Sequence, residues 1–123
     1  MRRVDAAALA ELIRTRQPCV ALTGAGISTE SGIPKPGVVM FGELLPEGAL
    51  TRAERLAEQA ELLLVVGSTL EVWPVAGLPE LTLRRGGALA IVNRGPTALD
   101  HRADLRLEGG AGETLSAVVA ALR

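Results

Sequence analysis

A glycine-rich turn near the start of the chain has the residue types and spacing that suit phosphate binding. It follows a short apolar run at 20–22 that is typical of a strand buried on both faces. Two glycines allow close approach of the backbone, and the next segment would present free N–H groups to a phosphate. Thr29 stands where the third glycine of the dinucleotide pattern G-x-G-x-x-G would fall, so that pattern is incomplete. These residues alone favour a phosphate-binding turn and a strand-to-helix turn without a ligand about equally. The turn residues are Gly24, Ala25, Gly26, Ile27 and Ser28.

Candidate acids, bases and nucleophiles are few in this sequence. The single histidine, His101, lies in a segment of turn character, and Glu30, Glu43 and Asp104 show no spacing that suggests paired acid–base work. The single cysteine, Cys19, has apolar neighbours that are typical of a buried strand. One cysteine excludes an internal disulfide and a cysteine-rich zinc site. The residue types therefore leave Glu30, Glu43 and Asp104 as possible acids or bases without a paired arrangement.

Length, charge and hydropathy narrow the class of protein. We expect 123 residues to form one domain, residues 1–123, with a core of Leu, Val, Ala and Ile because Phe41 and Trp73 are its two aromatic residues. A net charge of −1 argues against nucleic-acid or membrane-surface binding through a basic patch. The sequence has no apolar run of transmembrane length and no signal-peptide pattern, which predicts a cytoplasmic protein.

Apolar periodicity predicts alternating strands and helices along most of the chain. Strands are expected at 19–23, 38–41, 62–66, 88–92 and 105–107, and helices at 5–16, 51–60, 78–85 and from about 113 onwards. Asp5 and Thr51 stand at the expected N-caps of the first two helices. This order predicts an α/β fold of three layers, in which a short parallel sheet of about four to five strands is flanked by helices.

Polar or glycine-rich turns follow four of the predicted strands. They lie at 24–28, 67–69 and 109–112, and Asn93 follows the strand at 88–92. Because the carboxyl ends of parallel strands meet at one edge of a sheet, these turns are expected to converge where ligands bind. Their convergence favours a nucleotide site.

The same stretches resemble a known family, the sirtuins, which are NAD-dependent protein deacylases. GAGIS at 24–28 and ESGIP at 30–34 resemble the signature loop of the family, and FGE at 41–43 resembles its short substrate-side strand. LLLVVGSTLEVWP at 62–74 is similar to the stretch that ends in the family's Gly-Thr-Ser-Leu turn, with Ser68 and Thr69 in exchanged order. The resemblance covers almost the whole chain and implies a Rossmann-like arrangement of the α/β fold.

A large internal part of the family pattern has no counterpart here. Lys35-Pro36-Gly37 follows Pro34 where the family has Asp-Phe-Arg, and the chain then passes into a segment that resembles the one after the zinc module. The Gln-Asn-x-Asp motif, the His-Gly with the catalytic histidine and the four zinc-binding cysteines are missing, and His101 matches no catalytic position. The comparison implies a reduced core with no catalytic residue and no zinc.

The resemblance implies NAD or ADP-ribose as the ligand and assigns residues to it. Backbone N–H groups at 25–27 would meet the phosphates, Ser68 and Thr69 would bond phosphate or ribose, Asn93 would bond the adenosine ribose, and Ala111 would lie against adenine. The implied cofactor-binding residues are Gly24, Ala25, Gly26, Ile27, Ser28, Gly67, Ser68, Thr69, Asn93, Arg94 and Ala111. The implied substrate-peptide residues are Phe41, Gly42, Glu43, Leu70 and Val72.

Three functions are compatible with this sequence. The first is a nucleotide-binding module that holds NAD or ADP-ribose without efficient deacylation, because the adenosine-side motifs are present and the nicotinamide-side motifs are not. The second is an active NAD-dependent deacylase in which another group replaces the histidine. The third is a core that folds and binds nothing tightly. A dehydrogenase is disfavoured, since nothing in the chain supplies a substrate domain.

The position of the missing segment also predicts self-association. The resemblance implies a parent sheet with two strands on the far side of the first strand, and the missing segment carried both. The strand at 19–23 would then lie at an edge, apolar on both faces and without Pro or Lys to discourage pairing. This expectation favours a homodimer or higher oligomer.

Overall fold

The structure is a computed structural model that describes residues 3–23, 38–41, 49–71 and 75–122. Its helices are α1 (Arg3–Thr15), α2 (Ala49–Gln59), α3 (Leu78–Arg84) and α4 (Ala111–Leu122). Its strands are β1 (Cys19–Thr23), β2 (Val38–Phe41), β3 (Leu62–Val66), β4 (Ala88–Asn93) and β5 (Leu105–Glu108). Short 3-10 turns occupy Val75–Gly77 and Asp100–Arg102.

The five strands form one parallel sheet in the order β2-β1-β3-β4-β5. β3 lies at its centre, with Leu64 in register with Ala21 on one side and Ala90 on the other. All five residues of β3 are buried, as expected for a strand covered on both faces. The predicted α/β, Rossmann-like fold with a short parallel sheet is therefore confirmed.

The prediction that β1 lies at an edge is wrong. Val20 is in register with Leu63 of β3 and also with Val39 of β2, so β1 is an interior strand. β2 occupies the side that the missing segment was expected to leave open. This position explains why every residue of β1 is buried, and it makes β2 and β5 the edges of the described sheet.

Helices α1 and α4 cover one face of the sheet. Leu9 of α1 and Leu115 of α4 are buried in the same cluster as Leu64 and Val92. The guanidinium of Arg14 also donates to the C=O of Ala121 at 2.6 Å, which links α1 to the last turn of α4. These contacts join α1 and α4 into one helical layer.

Helices α2 and α3 cover the opposite face. Ala57 of α2 and Leu78 of α3 pack with Leu63 and Ile91 in a second buried cluster. Thr82 of α3 is fully buried, and its hydroxyl donates to the C=O of Ala57 at 2.7 Å. That carbonyl lies in the last turn of α2, where no intrahelical N–H is available, so Thr82 caps α2 from a neighbouring helix.

Two predicted helix starts are wrong by a few residues. α1 begins at Arg3 and α2 begins at Ala49, so Asp5 and Thr51 lie inside the first turns instead of at the N-caps. The residues just upstream also accept helical geometry and extend each helix towards its amino end. Asp5 still complements the positive end of the helix dipole. Among the described residues, no helix is long and apolar enough to cross a membrane.

Replacing Thr82 by Val is expected to lower the free energy of unfolding by about 1–3 kcal/mol, because the Ala57 carbonyl would lose its buried donor. Thr51→Val is the matched control, since Thr51 is exposed on α2 and its loss should change stability by less than about 0.5 kcal/mol. Denaturant unfolding followed by circular dichroism measures both variants. Equal stabilities would show that the cap contributes nothing.

Candidate functional site

The turn after β3 lies directly beside the end of β4. Gly67 has φ +69° and its N–H donates to the C=O of Val92 at 2.9 Å. A positive φ favours glycine, so this residue lets the chain leave β3 while still bonding to the neighbouring strand. The predicted convergence is confirmed for the turn at 67–69 and for Asn93.

A side-chain hydrogen bond shapes the same turn. The N–H of Leu70 donates to the hydroxyl oxygen of Ser68 at 3.2 Å, and Leu70 has φ +61°, a conformation that is uncommon for a residue with a side chain. Leu70 is 4% exposed and packs in the cluster between the sheet, α2 and α3. Leu70 was predicted as a peptide contact, and its side chain belongs to the core.

The hydroxyl groups of Ser68 and Thr69 face different surroundings. Ser68 is buried and accepts the bond from Leu70, whereas Thr69 is exposed. The C=O of Thr69 accepts from the N–H of Ala98 at 3.0 Å, so the loop after β4 is attached to the turn after β3. Of the two predicted hydroxyls, that of Thr69 is the one on an exposed side chain.

Asn93 ends β4 and is 7% exposed. Its side-chain NH₂ donates to the C=O of Arg94 at 3.2 Å and to the C=O of Gly95 at 3.1 Å. Within the described ranges, no hydrogen bond occupies its Oδ1. The amide is therefore fixed by both donors, and its oxygen can accept from a ligand hydroxyl.

The guanidinium of Arg94 lies beside the first turn of α4. The exposed guanidinium of Arg94 lies 4.0 Å from the carboxylate of Glu113, and a Cβ at Gly110 would lie 2.9 Å from its Nη2. Ala111 is the first residue of α4, so Gly112 lies in the helix instead of in the predicted turn. Arg94, a predicted cofactor-binding residue, thus lies near the start of the helix that begins with a second one, Ala111.

Thr114 is a buried polar residue that the sequence did not indicate. It is fully buried, and its hydroxyl has no hydrogen-bond partner among the described residues. A Cβ at Gly109 would lie 2.9 Å from this hydroxyl, so glycine leaves it room next to the end of β5. Threonine inside a helix usually bonds to a carbonyl one turn earlier, which is why its type carried no functional signal.

Phe41 completes the set of predicted site residues that lie within the described ranges. Phe41 is the last residue of β2 and is in register with Leu22, at the carboxyl end of both strands. The remaining ones lie outside the described residues: Gly24, Ala25, Gly26, Ile27, Ser28, Gly42, Glu43 and Val72. The predicted phosphate turn therefore stays a prediction.

Of the described acid, base and nucleophile candidates, one is exposed, one is hydrogen-bonded to the backbone and one is buried in the core. His101 is exposed on a 3-10 turn, and the carboxylate of Asp104 accepts from the N–H of Leu89 at 2.9 Å, at the amino end of β4. Burial raises the pKa of Cys19 to about 12, so its thiol stays protonated at neutral pH. Glu30 and Glu43 lie outside the described residues.

A cavity of about 490 Å³ lies between the turn after β3 and the start of α3. Its lining is mainly apolar with two acidic residues, Glu71 and Glu80, of which Glu80 bonds to Arg102 and to Arg84. The hydrogen bond from Arg102 is the main cause that holds the pKa of Glu80 below its usual value. The lining residues are Leu70, Glu71, Ala76, Gly77, Glu80, Ala98 and Leu99. In the described ranges, no three His, Cys, Asp or Glu residues are grouped as a metal site.

Sequence comparison finds relatives over part of their length. The chain is 43% identical over 89 residues to an NAD-dependent protein deacylase of Methylococcus capsulatus, covering 72% of this chain and 35% of that protein. It is 51% identical over 73 residues to NAD-dependent protein deacetylase 1 of Geobacillus kaustophilus, covering 59% and 30%. The chain spans about one third of the length of the curated relatives that it matches. No family model matches it.

Solved structures share the fold at low sequence identity. Sir2Af2 bound to a myristoylated histone peptide aligns with a TM-score of 0.86 at 18% identity, covering 98% of this chain and 97% of that one. Sir2 with a p53 peptide and NAD⁺ aligns with a TM-score of 0.75 at 22% identity, covering 92% and 96%. At these identities the alignments establish the fold.

Proposed function

Because this chain is related in sequence to the sirtuins, the NAD-dependent protein deacylases, we propose that it binds NAD or ADP-ribose without efficient deacylation. The ligand would lie at the carboxyl edge of the sheet. The relatives are named for their use of NAD, and one solved neighbour contains NAD⁺. The chain corresponds to about one third of the relatives' length, so their activity is not transferred with the name.

The observation that carries the proposal is the hydrogen bond from the N–H of Gly67 to the C=O of Val92 at 2.9 Å. It fixes a small-residue turn next to Asn93, whose amide oxygen is left as an acceptor. In open parallel sheets, nucleotides bind in the crevice at this edge, near the point where the strand order reverses. Here that reversal falls between β1 and β3.

The parts of a nucleotide fit different groups at this edge. The Oδ1 of Asn93 would accept from a ribose hydroxyl, and the exposed hydroxyl of Thr69 would donate to ribose or phosphate. Adenine would lie against Ala111, at the start of α4. The backbone at 24–28 would meet the phosphates, and the support for this contact is the sequence pattern.

Weak or absent deacylation follows from the missing acid–base group. Loss of a general base typically lowers the rate by a factor of about 100 to 10,000. His101 matches no catalytic position in the family pattern. Asp104 accepts a hydrogen bond from the N–H of Leu89 at the amino ends of the strands, away from the proposed site. The alternative of an active deacylase is favoured by the names of the relatives and would require a substitute base.

We also propose that residues 1–123 form one domain and that the chain self-associates. One domain over 1–123 is supported by the five described strands, which all join one sheet. A homo-oligomer can no longer use β1. β5 carries Arg106 and Glu108, and charged side chains discourage edge pairing, so β2 is the edge we propose for self-association. A cytoplasmic location stays a prediction.

NAD and ADP-ribose are expected to bind with dissociation constants within about a factor of 3 of each other, because the adenosine and phosphate contacts would supply the affinity. Nicotinamide alone should give no measurable heat. Parallel calorimetric titrations of the three ligands test this division. Tight binding of nicotinamide, or ADP-ribose binding far weaker than that of NAD, would contradict it.

An acetyl-lysine peptide is expected to be deacylated no faster than in a blank without protein, when NAD is present in excess. A longer NAD-dependent deacylase relative serves as the positive control. Product formation at an ordinary enzyme turnover of about 1 s⁻¹ or more would favour the active-deacylase alternative instead.

A further inference from the structure

Arg106 on β5 uses all the hydrogen-bond donors of its guanidinium. A guanidinium carries five N–H groups. Nε donates to Asp100 at 2.8 Å, Nη1 donates to the C=O of Asn93 at 3.1 Å and of Leu107 at 2.6 Å, and Nη2 donates to the C=O of Gly95 and to the carboxylate of Glu108 at 3.1 Å. Its side chain is 22% exposed, so these bonds are partly shielded from water.

These bonds attach the loop after β4 to the edge strand. Ile91 is in register with Arg106 and Asn93 with Glu108, so alternate residues of β4 and β5 share one face of the sheet. The carboxylate of Glu108 also accepts from the N–H of Gly95 at 2.8 Å. Gly95 is thus held through both its N–H and its C=O.

Asp100 extends the same network along the loop. Its carboxylate accepts from the hydroxyl of Thr97 at 2.6 Å and from the N–H of Thr97 at 3.1 Å. The hydroxyl of Thr97 is the main cause of a lowered pKa at Asp100, and the bond from Arg106 adds to it. Asp100 therefore stays ionised at neutral pH and remains a partner for the guanidinium.

Arg106 and the side chain of Asn93 share an anchor. The C=O of Gly95 accepts both from Arg106 and from the NH₂ of Asn93, and the C=O of Asn93 itself accepts from Arg106. Of the two carbonyls that accept from the Asn93 amide, those of Arg94 and Gly95, Arg106 bonds that of Gly95. Removal of the guanidinium is therefore expected to loosen the Gly95 carbonyl and, through it, the amide of Asn93, although the five bonds of Arg106 do not include Oδ1 of Asn93.

We propose that Arg106 is a positioning residue that sets the amide oxygen of Asn93 for a hydroxyl of the adenosine ribose. This inference rests on the proposed binding of NAD or ADP-ribose. Lysine cannot take over this role. Its ammonium group has three donors on a flexible stem, whereas the five acceptors here surround a planar guanidinium with five donors.

The test compares ADP-ribose with its 2′-deoxy and 3′-deoxy analogues, both modified in the adenosine ribose. The hydroxyl ratio is the dissociation constant of the weaker-binding analogue divided by that of ADP-ribose. For the unaltered chain a ratio of about 2 to 10 is expected, the size of one net hydrogen bond. Asn93→Ala should reduce this ratio to about 1 and serves as the reference.

Arg106→Lys should also reduce the hydroxyl ratio to near 1. A lower folded fraction would weaken binding of ADP-ribose and its analogues by the same factor, so a purely structural role would leave the ratio unchanged. Arg14→Lys is the matched control, since Arg14 likewise bonds a carboxylate and a backbone C=O but lies on α1. If Arg106→Lys does not fold, Glu108→Gln tests the same network, because it weakens the ion pair and keeps the side-chain shape.

The outcomes separate the two proposals. A hydroxyl ratio that Asn93→Ala lowers and Arg106→Lys leaves intact would overturn the role of Arg106 and leave nucleotide binding standing. A ratio of 1 in the unaltered chain would overturn the role of Asn93 and, with it, that of Arg106. Failure of the unaltered chain to bind ADP-ribose would overturn the proposed function itself.

Discussion

The parallel pairing of β3 with β1 on one side and β4 on the other is the constraint on which the rest of the structure depends. It places Thr23, Val66 and Val92 in one row, so the chain leaves these strands at the same edge. It also buries both faces of β3, which requires a helical layer on each side. The bond from Gly67 to Val92 continues this pairing beyond β3 and brings the turn after β3 beside the end of β4.

The sequence predicted which segments form strands and helices better than it predicted which strands pair with each other. The apolar runs at 62–66 and 88–92 indicated buried strands, and the structure places both in the middle of the sheet. The pairing of Val20 with Val39 could not be predicted, because the choice of a strand's partner depends on packing between distant segments. The helix starts could not be predicted accurately from local composition either, because the two residues before Thr51 suit a helix equally well.

In the candidate site, residues with a local sequence signal were also predicted, whereas residues that depend on tertiary structure were missed. Gly67 and Asn93 were predicted because a glycine or a polar residue after an apolar strand is a local signal. Arg106 was missed because its acceptors lie on a loop that only tertiary structure brings to β5. The inward side chain of Leu70 was missed for a related reason, since it follows from a left-handed backbone conformation that the residue type does not indicate.

The central claim is that an adenine nucleotide binds at the carboxyl edge of this sheet. Two-dimensional amide spectra, recorded while ADP-ribose is added, locate the binding directly. The account predicts progressive shifts of the amide signals of Gly67, Asn93 and Gly95, and unchanged signals for Leu89 and Asp104 at the opposite edge. Shifts confined to Leu89 and Asp104, or no shifts at saturating ADP-ribose, would contradict it.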